Sequence, residues 1–471
     1  MKKMIALILS VMMVLSLCAC AGSGNAEGEG GQNGLGEGLN VGFARENITP
    51  DFSVGLGGYS DAETRRSEGF IDYIYVTCIA VTEGEETILI YTLDNCAAPE
   101  SIAEKMRTSV TEATGIAGEK IFVGATHSHS CPSLSTSDNE GAKYMDLLMA
   151  ATATAAEKAL ADRAPATISA GVTEIELMNF VRHYEMSDGT YAGSNFGSFS
   201  NATTVAHAAE TDPRMVLVKF DRADDKQDVL LVNWQAHPDH GTENGRNNIS
   251  ADFPGALREK VMKETNMLVA YFTGASGNQN PDSRITSETH NLSMKEYGEK
   301  LAEHAVKALE NLQPVEGTGI STTRVMYDAP VDHSWDHLLG AANEVYDLWK
   351  SAGKTAGDAL GKTYDFTSSY QARAIKTRAA MGLTRQIELN AFRIHGLGFT
   401  TGTYEMFSTA GLYVRENSPY DITFIMTGNS GYIPNEMSYD YRSYEADTGY
   451  FAKGTSEALA QKYVEMLESV Q

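Results

Sequence analysis

Short apolar runs alternate with longer amphipathic stretches along this chain. Residues 41–48, 121–123, 167–172, 215–220, 229–234 and 267–272 are short runs bounded by polar or glycine-containing turns, which predict buried strands. Residues 71–81 and 87–93 are two more, and Glu83-Gly84-Glu85 between them predicts a hairpin. Apolar positions at helical spacing cover 101–114, the alanine-rich stretch 144–160, and 251–264 and 293–309. Residues 320–385 are more polar; helices are expected near 341–350 and 370–380, and the region reads as an insertion or a cover over a site. Apolar runs at 387–399 and 420–426 and a helix at 455–470 complete the pattern. Strands interleaved with helices predict an α/β fold of mixed α+β character. It is expected as one large catalytic domain over 40–471.

The first residues follow a different logic. Lys2-Lys3 precede a short apolar core, 4–17, then Leu17-Cys18-Ala19-Cys20 and the polar, glycine-rich run 21–39. The core is too short for a comfortable membrane span and has the flanks of a secretory signal. With Leu17 and Ala19 ahead of Cys20, it resembles a bacterial lipoprotein signal. That resemblance implies a signal peptide over 1–19, lipidation at Cys20 and a flexible tether over 20–39. The expected location is extracytoplasmic, anchored to the cell membrane.

Charge narrows the partners. With 62 acidic against 37 basic side chains the formal net charge is −25, and no basic cluster follows Lys3. That balance excludes a nucleic-acid partner. With Cys20 lipidated, Cys78, Cys96 and Cys131 remain in the folded part, an odd number that does not make a disulfide scaffold. Cys78 and Cys96 lie in apolar runs and read as small core residues.

The chemistry gathers at strand ends. The run from Ile121 passes through Gly124-Ala125 into Thr126-His-Ser-His-Ser-Cys-Pro132. On an extended backbone His127 and His129 share a face. Both could bind one metal ion, or one could ligate while the other handles protons. Residues 229–234 likewise end in Gln235-Ala236-His237-Pro238, and strand ends in α/β sheets are where ligands collect. Cys131 could serve as a soft ligand, but Pro132 beside it and the competing histidines favour packing. The loop Gly55-Leu-Gly-Gly-Tyr59 lacks phosphate-binding spacing and is assigned no such role.

Three motifs, in this order, resemble the neutral/alkaline non-lysosomal ceramidase family: Thr126-His-Ser-His-Ser-Cys-Pro132, Asn233-Trp-Gln-Ala-His-Pro238 and Gly277-Asn-Gln-Asn-Pro281. The likeness continues through Glu405 in Gly402-Thr-Tyr-Glu405, Gly431-Tyr432 and Tyr444-Glu445. It implies a zinc ion held by His127, His237, Glu405 and Tyr432, a donor set that suits Zn²⁺. It further implies His129 as the residue that moves a proton or binds substrate, Arg182 at the reacting carbonyl and Tyr444 as a donor to the developing oxyanion. Taken singly, Glu405 reads as a first-turn helix acid, Tyr432 and Tyr444 as packing residues, and Arg182 as an ion-pair arginine.

The sequence departs from the family where Asn280 replaces its serine and Asn278 its aspartate. Asparagine cannot act as a nucleophile but can hydrogen-bond substrate or water. No C-terminal immunoglobulin-like domain is expected after the last helix. The resemblance therefore implies a divergent zinc-dependent hydrolase, cleaving an amide or related acyl bond of a small-molecule or lipid-like substrate with zinc-activated water. Two alternatives stand beside it. One is a non-catalytic, surface-anchored binding lipoprotein on a degenerate hydrolase fold; the other is a hydrolase of the same fold acting on a sugar or cell-wall substrate.

Overall fold

A nine-stranded mixed sheet carries the framework of the protein, seen in a computed structural model that describes residues 38–59, 64–200, 202–223, 225–240, 246–285, 289 and 291–471. The expected signal peptide, Cys20 and nearly all of the expected tether lie outside the described residues. Residues Gly36–Gln471 form one unit. Among the described residues no helix is long and apolar enough to cross a membrane.

Eight strands run in the order Leu268–Thr273, Val229–Trp234, Arg214–Arg222, Ala164–Glu174, Asn40–Asn47, Tyr75–Glu83, Glu86–Leu93, Ile121–Ala125, and the ninth, Gln313–Pro314, pairs off this path with Ala164–Glu174. Pairing is antiparallel through the middle and parallel at both ends. Parallel neighbours need a crossover, and a helix supplies each one. Glu100–Thr114 links the last pair and Asp252–Thr265 the first. A four-stranded sheet, Ile320–Pro330, Thr384–Ile394, Leu397–Gly402 and Ile422–Thr427, packs against this framework. Its final pair is also parallel, with Ser408–Asn417 as the crossover.

The two sheets share an aromatic core. Phe122 stacks on Phe392 with ring centroids 4.2 Å apart, and Phe392 on Phe399 at 4.7 Å. Such pairs contribute about 1 kcal/mol each beyond simple burial. Toward the strand ends the contacts become polar. Thr92 donates to the Tyr271 carbonyl (2.7 Å), Thr273 to Thr126 (2.7 Å) and Thr427 to Thr273 (3.1 Å). Asn233 donates to Ile425 (2.8 Å) and Asn429 to Ala125 (3.0 Å). These buried ties hold strands remote in sequence end to end and bring their following loops together.

The expected mixed fold and single folded domain are present, with local differences. The hairpin strand begins at Tyr75 rather than residue 71. The run 387–399 is not one element but two strands, turning at His395 (φ 52°) and Gly396. The polar stretch 320–385 contains a strand that its pattern did not predict, Ile320–Pro330, paired along its whole length with Thr384–Ile394. Between them the helices Leu339–Ala352, Lys354–Gly361 and Ser369–Ala379 surround a small core of their own.

Candidate metal centre

Four strands end where the expected ligands begin. Ile121–Ala125 leads to His127, Val229–Trp234 to His237, Leu397–Gly402 to Glu405 and Ile422–Thr427 to Tyr432. Glu405 and Tyr432 are themselves paired in register as the starts of two short parallel strands. Glu405 is therefore not a first-turn helix acid; the helix starts later, at Ser408.

His127 breaks the extended geometry that the sequence implies. Its φ of 68° is left-handed, a strained setting for a residue other than glycine. The strand stops at Ala125, and simple alternation does not set the two side chains. They meet nonetheless: His129 Nε2 lies 3.2 Å from His127 Nε2, the rings almost perpendicular at 89°. The glycine-rich loop backs His129. Gly58 has φ 95°, and a Cβ there would sit 2.6 Å from the His129 Cα. Tyr59 stands edge-on to the imidazole at 5.1 Å, and Arg65 donates to the His129 carbonyl at 3.0 Å.

Three ligand atoms form a tight triangle. His127 Nε2 is 3.0 Å from His237 Nε2, and Glu405 Oε2 is 3.5 Å from each. Tetrahedral ligands about 2.0–2.1 Å from zinc lie about 3.4 Å apart, so the triangle has the size of one face of such a site. Both rings donate Nδ1–H to a backbone carbonyl, His127 to Cys96 (2.5 Å) and His237 to Ser276 (2.9 Å). This fixes the tautomer and leaves Nε2 free to ligate. Glu405 Oε2 is buried without a hydrogen-bond donor.

Electrostatics point the same way. Burial holds His127 down to about 4 and lowers His237 and His129 well below the usual imidazole range. Burial also pushes the Glu405 carboxyl up to about 8, with Arg182 opposing only in part. Two neutral imidazoles and a buried carboxyl group without a charged partner on Oε2 make a cluster that a cation would satisfy. The residues present fit a metal ion.

Arg182 is buried beside this group. Its Nε donates to Glu445 Oε1 (2.9 Å), NH2 donates to the Gly277 carbonyl (3.0 Å) and stands 2.6 Å from Glu445 Oε1 as an ion pair, and NH1 donates to Asn280 Oδ1 (3.4 Å). Asn280 reaches this position because Gln279–Asn280 pairs with Phe180–Val181. Asn278 instead accepts from the Ser408 backbone N–H (2.8 Å) and donates to its hydroxyl (3.2 Å), bracing the start of the crossover helix. The Tyr432 ring lies 5.6 Å from the Arg182 guanidinium carbon and 6.1 Å from the Tyr444 ring. Burial and the Glu445 charge push Tyr444 up to about 12, so its phenol keeps its proton. Tyr370, from the 320–385 region, packs on Tyr444 at 5.9 Å, and Thr367 donates to Asp447 (2.6 Å). The helical insertion thus borders the expected oxyanion donor.

Neither a sequence-family model nor a curated protein sequence matches the chain. Solved structures do. A neutral ceramidase from Pseudomonas aeruginosa superposes over 92% of this chain and 75% of its own, with TM-score 0.68 and 15% identity. A ceramidase complexed with C2 covers 92% and 76%, with TM-score 0.67 and 15% identity. The chain has a neutral ceramidase-like fold. At that identity the likeness is one of architecture, and the chemistry has to be argued from the side chains.

Two residues that sequence reading passed over complete the site. Glu445, fully buried, accepts from His183 Nε2 at 2.9 Å as well as from Arg182, and His183 Nδ1 is hydrogen-bonded to the Tyr441 hydroxyl at 2.7 Å. Burial alone would raise Glu445, but His183 and Arg182 outweigh it and hold it at about 2. The trace of this in the sequence is slight: Glu445 belongs to the Tyr444-Glu445 match with no role attached, and His183 adjoins Arg182. Cys96, whose apolar surroundings in the sequence predict a core position, has its Sγ 3.9 Å from His127 Nδ1. With His127 and His129 it makes a second group whose ligand atoms lie within 4.8 Å of one another. Cys131 belongs to neither group; it is buried and donates to the Ser250 carbonyl at 3.4 Å.

Proposed function

We propose that the protein is a zinc-dependent hydrolase of amide or related acyl bonds. The carrying observation is the triangle of His127 Nε2, His237 Nε2 and Glu405 Oε2, each imidazole anchored by a backbone carbonyl. In this reading those three residues and Tyr432 hold the ion. Zinc bound there supplies Lewis acidity, polarising a carbonyl and acidifying water. The protein's own groups do the rest. Arg182 NH1 and the Tyr444 hydroxyl donate to the oxygen that gains charge; one such fixed donor commonly contributes about 3 kcal/mol. His129, neutral through burial, accepts a proton from water at Nε2 and returns it to the leaving amine. Asn280 carries no nucleophile, so its place is to hydrogen-bond substrate beside Arg182.

Elemental analysis of protein purified without chelator is expected to find about one zinc per chain. A panel of N-acyl amines and N-acyl amino acids is expected to be hydrolysed, and chelation to stop turnover. Stoichiometric metal without turnover of any N-acyl compound would favour a binding protein instead.

The N-terminal motif adds a location to this reading: the enzyme works outside the cytoplasm, tethered by acyl chains on Cys20. Cys20→Ala is expected to move the protein from the membrane to the soluble fraction. A wild-type protein already soluble after fractionation would remove the anchor.

A further inference from the structure

We propose that Glu445 is a positioning and specificity-determining residue. By closing the Nε/NH2 edge of Arg182 and cancelling its charge, it makes the site favour an uncharged N-acyl substrate over one carrying a carboxylate beside the scissile bond. This rests on the hydrolase reading above for the identity of the bond.

An unencumbered arginine recognises carboxylates through two parallel N–H donors. Arg182 has no such edge to offer. Its Nε/NH2 edge is closed on Glu445 Oε1, at 2.9 and 2.6 Å. Its NH1/NH2 edge is interrupted because NH2 also donates to the Gly277 carbonyl at 3.0 Å. NH1 makes the long 3.4 Å contact to Asn280 Oδ1, and the Tyr432 side chain also hydrogen-bonds the guanidinium. One donor suits a carbonyl or hydroxyl oxygen. A carboxylate would meet a single N–H on an ion pair of zero net charge, with the Glu445 carboxylate on the opposite side of the guanidinium.

Glu445 cannot easily swing away. It is fully buried, and its second oxygen accepts from His183, itself held by Tyr441. Opening the pair would leave a buried unpaired charge, which costs several kcal/mol. The network therefore fixes both the direction of NH1 and the charge that a ligand meets at Arg182.

Calorimetry with N-dodecanoyl ethanolamide and N-dodecanoyl glycine tests this on the protein as purified. The ligands share chain and amide and differ in one carboxylate. Wild type is expected to bind the ethanolamide at least about tenfold tighter, a ratio set by one screened charge at short range. Glu445→Gln, which releases the arginine charge, should narrow that ratio to about threefold or reverse it. Asn280→Asp, which adds a carboxylate on the remaining arm, should widen it. A wild type that binds the glycine compound equally or better, or binds neither, overturns the inference, as does a ratio unchanged in Glu445→Gln. Should Glu445→Gln fail to fold, wild type and Asn280→Asp decide alone. Turnover followed in parallel separates the two ideas: no hydrolysis of either compound defeats the hydrolase reading, while the binding ratio still decides the role of Glu445.

Discussion

His237→Ala is expected to abolish stoichiometric metal binding and to lower turnover by at least about a thousandfold, since the Lewis acid leaves with its ligand. The variant removes one corner of the triangle and leaves the Ser276 carbonyl without the Nδ1–H that it accepts. The control is His129→Ala. His129 Nε2 is as near to His127 Nε2 as a ligand would be, at 3.2 Å, and with Cys96 and His127 it forms the alternative, softer group. If the ion sits among His127, His237 and Glu405, His129→Ala keeps its metal and loses about a hundredfold in rate, the usual contribution of a proton-transfer residue. Elemental analysis of the two variants decides the matter. Metal retained in His237→Ala and lost in His129→Ala would move the ion to the Cys96 side of His127.

What the sequence could and could not reveal follows from the kind of signal each residue leaves. Apolar runs such as 229–234 and 267–272 leave a strong one, because strands buried on both faces are apolar throughout. The histidines that end them, His127 and His237, are visible by position. That they meet is not visible, since it depends on Thr92, Asn233, Thr273, Thr427 and Asn429. These are polar residues at strand ends, where no periodicity operates, and their partners are backbone carbonyls far away in sequence. The strand Ile320–Pro330 escaped for the opposite reason. It is an edge strand, mostly half-exposed, and Ser321-Thr-Thr-Arg324 gives it a polar face. Glu405 looked locally like a helix-start acid, and only a family resemblance singled it out. Glu445 stands in the Tyr444-Glu445 match without a role attached to it, and His183 has neither a pattern nor a motif of its own. Their importance comes from closing a buried charge network that exists only in three dimensions.

Glu405 governs the second large effect, through protons. Without metal its carboxyl is pushed up to about 8 by burial, whereas His127 is held near 4. Near neutral pH the imidazoles therefore have no proton to lose, and Glu405 still holds its own. Metal uptake at about pH 7 should release about one proton, falling toward none as pH rises past Glu405's own titration. Titration calorimetry in buffers of different ionisation enthalpy counts it. In Glu405→Gln the count should be zero, and affinity should fall by more than the ~10–100-fold that an outer-sphere partner costs. Stability follows with a definite sign. Between the ordinary carboxylate range and about 8 the folded metal-free protein binds this proton and the unfolded chain does not, so the group's contribution is lost as pH rises through that window. His127, with its value depressed, contributes stability that is lost as pH falls from the ordinary imidazole range toward 4. Above neutrality only the Glu405 effect remains. A bound cation cancels it by stabilising the carboxylate, so the rise in Tm on adding metal should be larger at about pH 8 than at about pH 6.5. A metal-induced rise equal at both values, with no proton released near pH 7, would take Glu405 out of the ligand set and leave the two imidazoles to hold the ion with Tyr432 or His129.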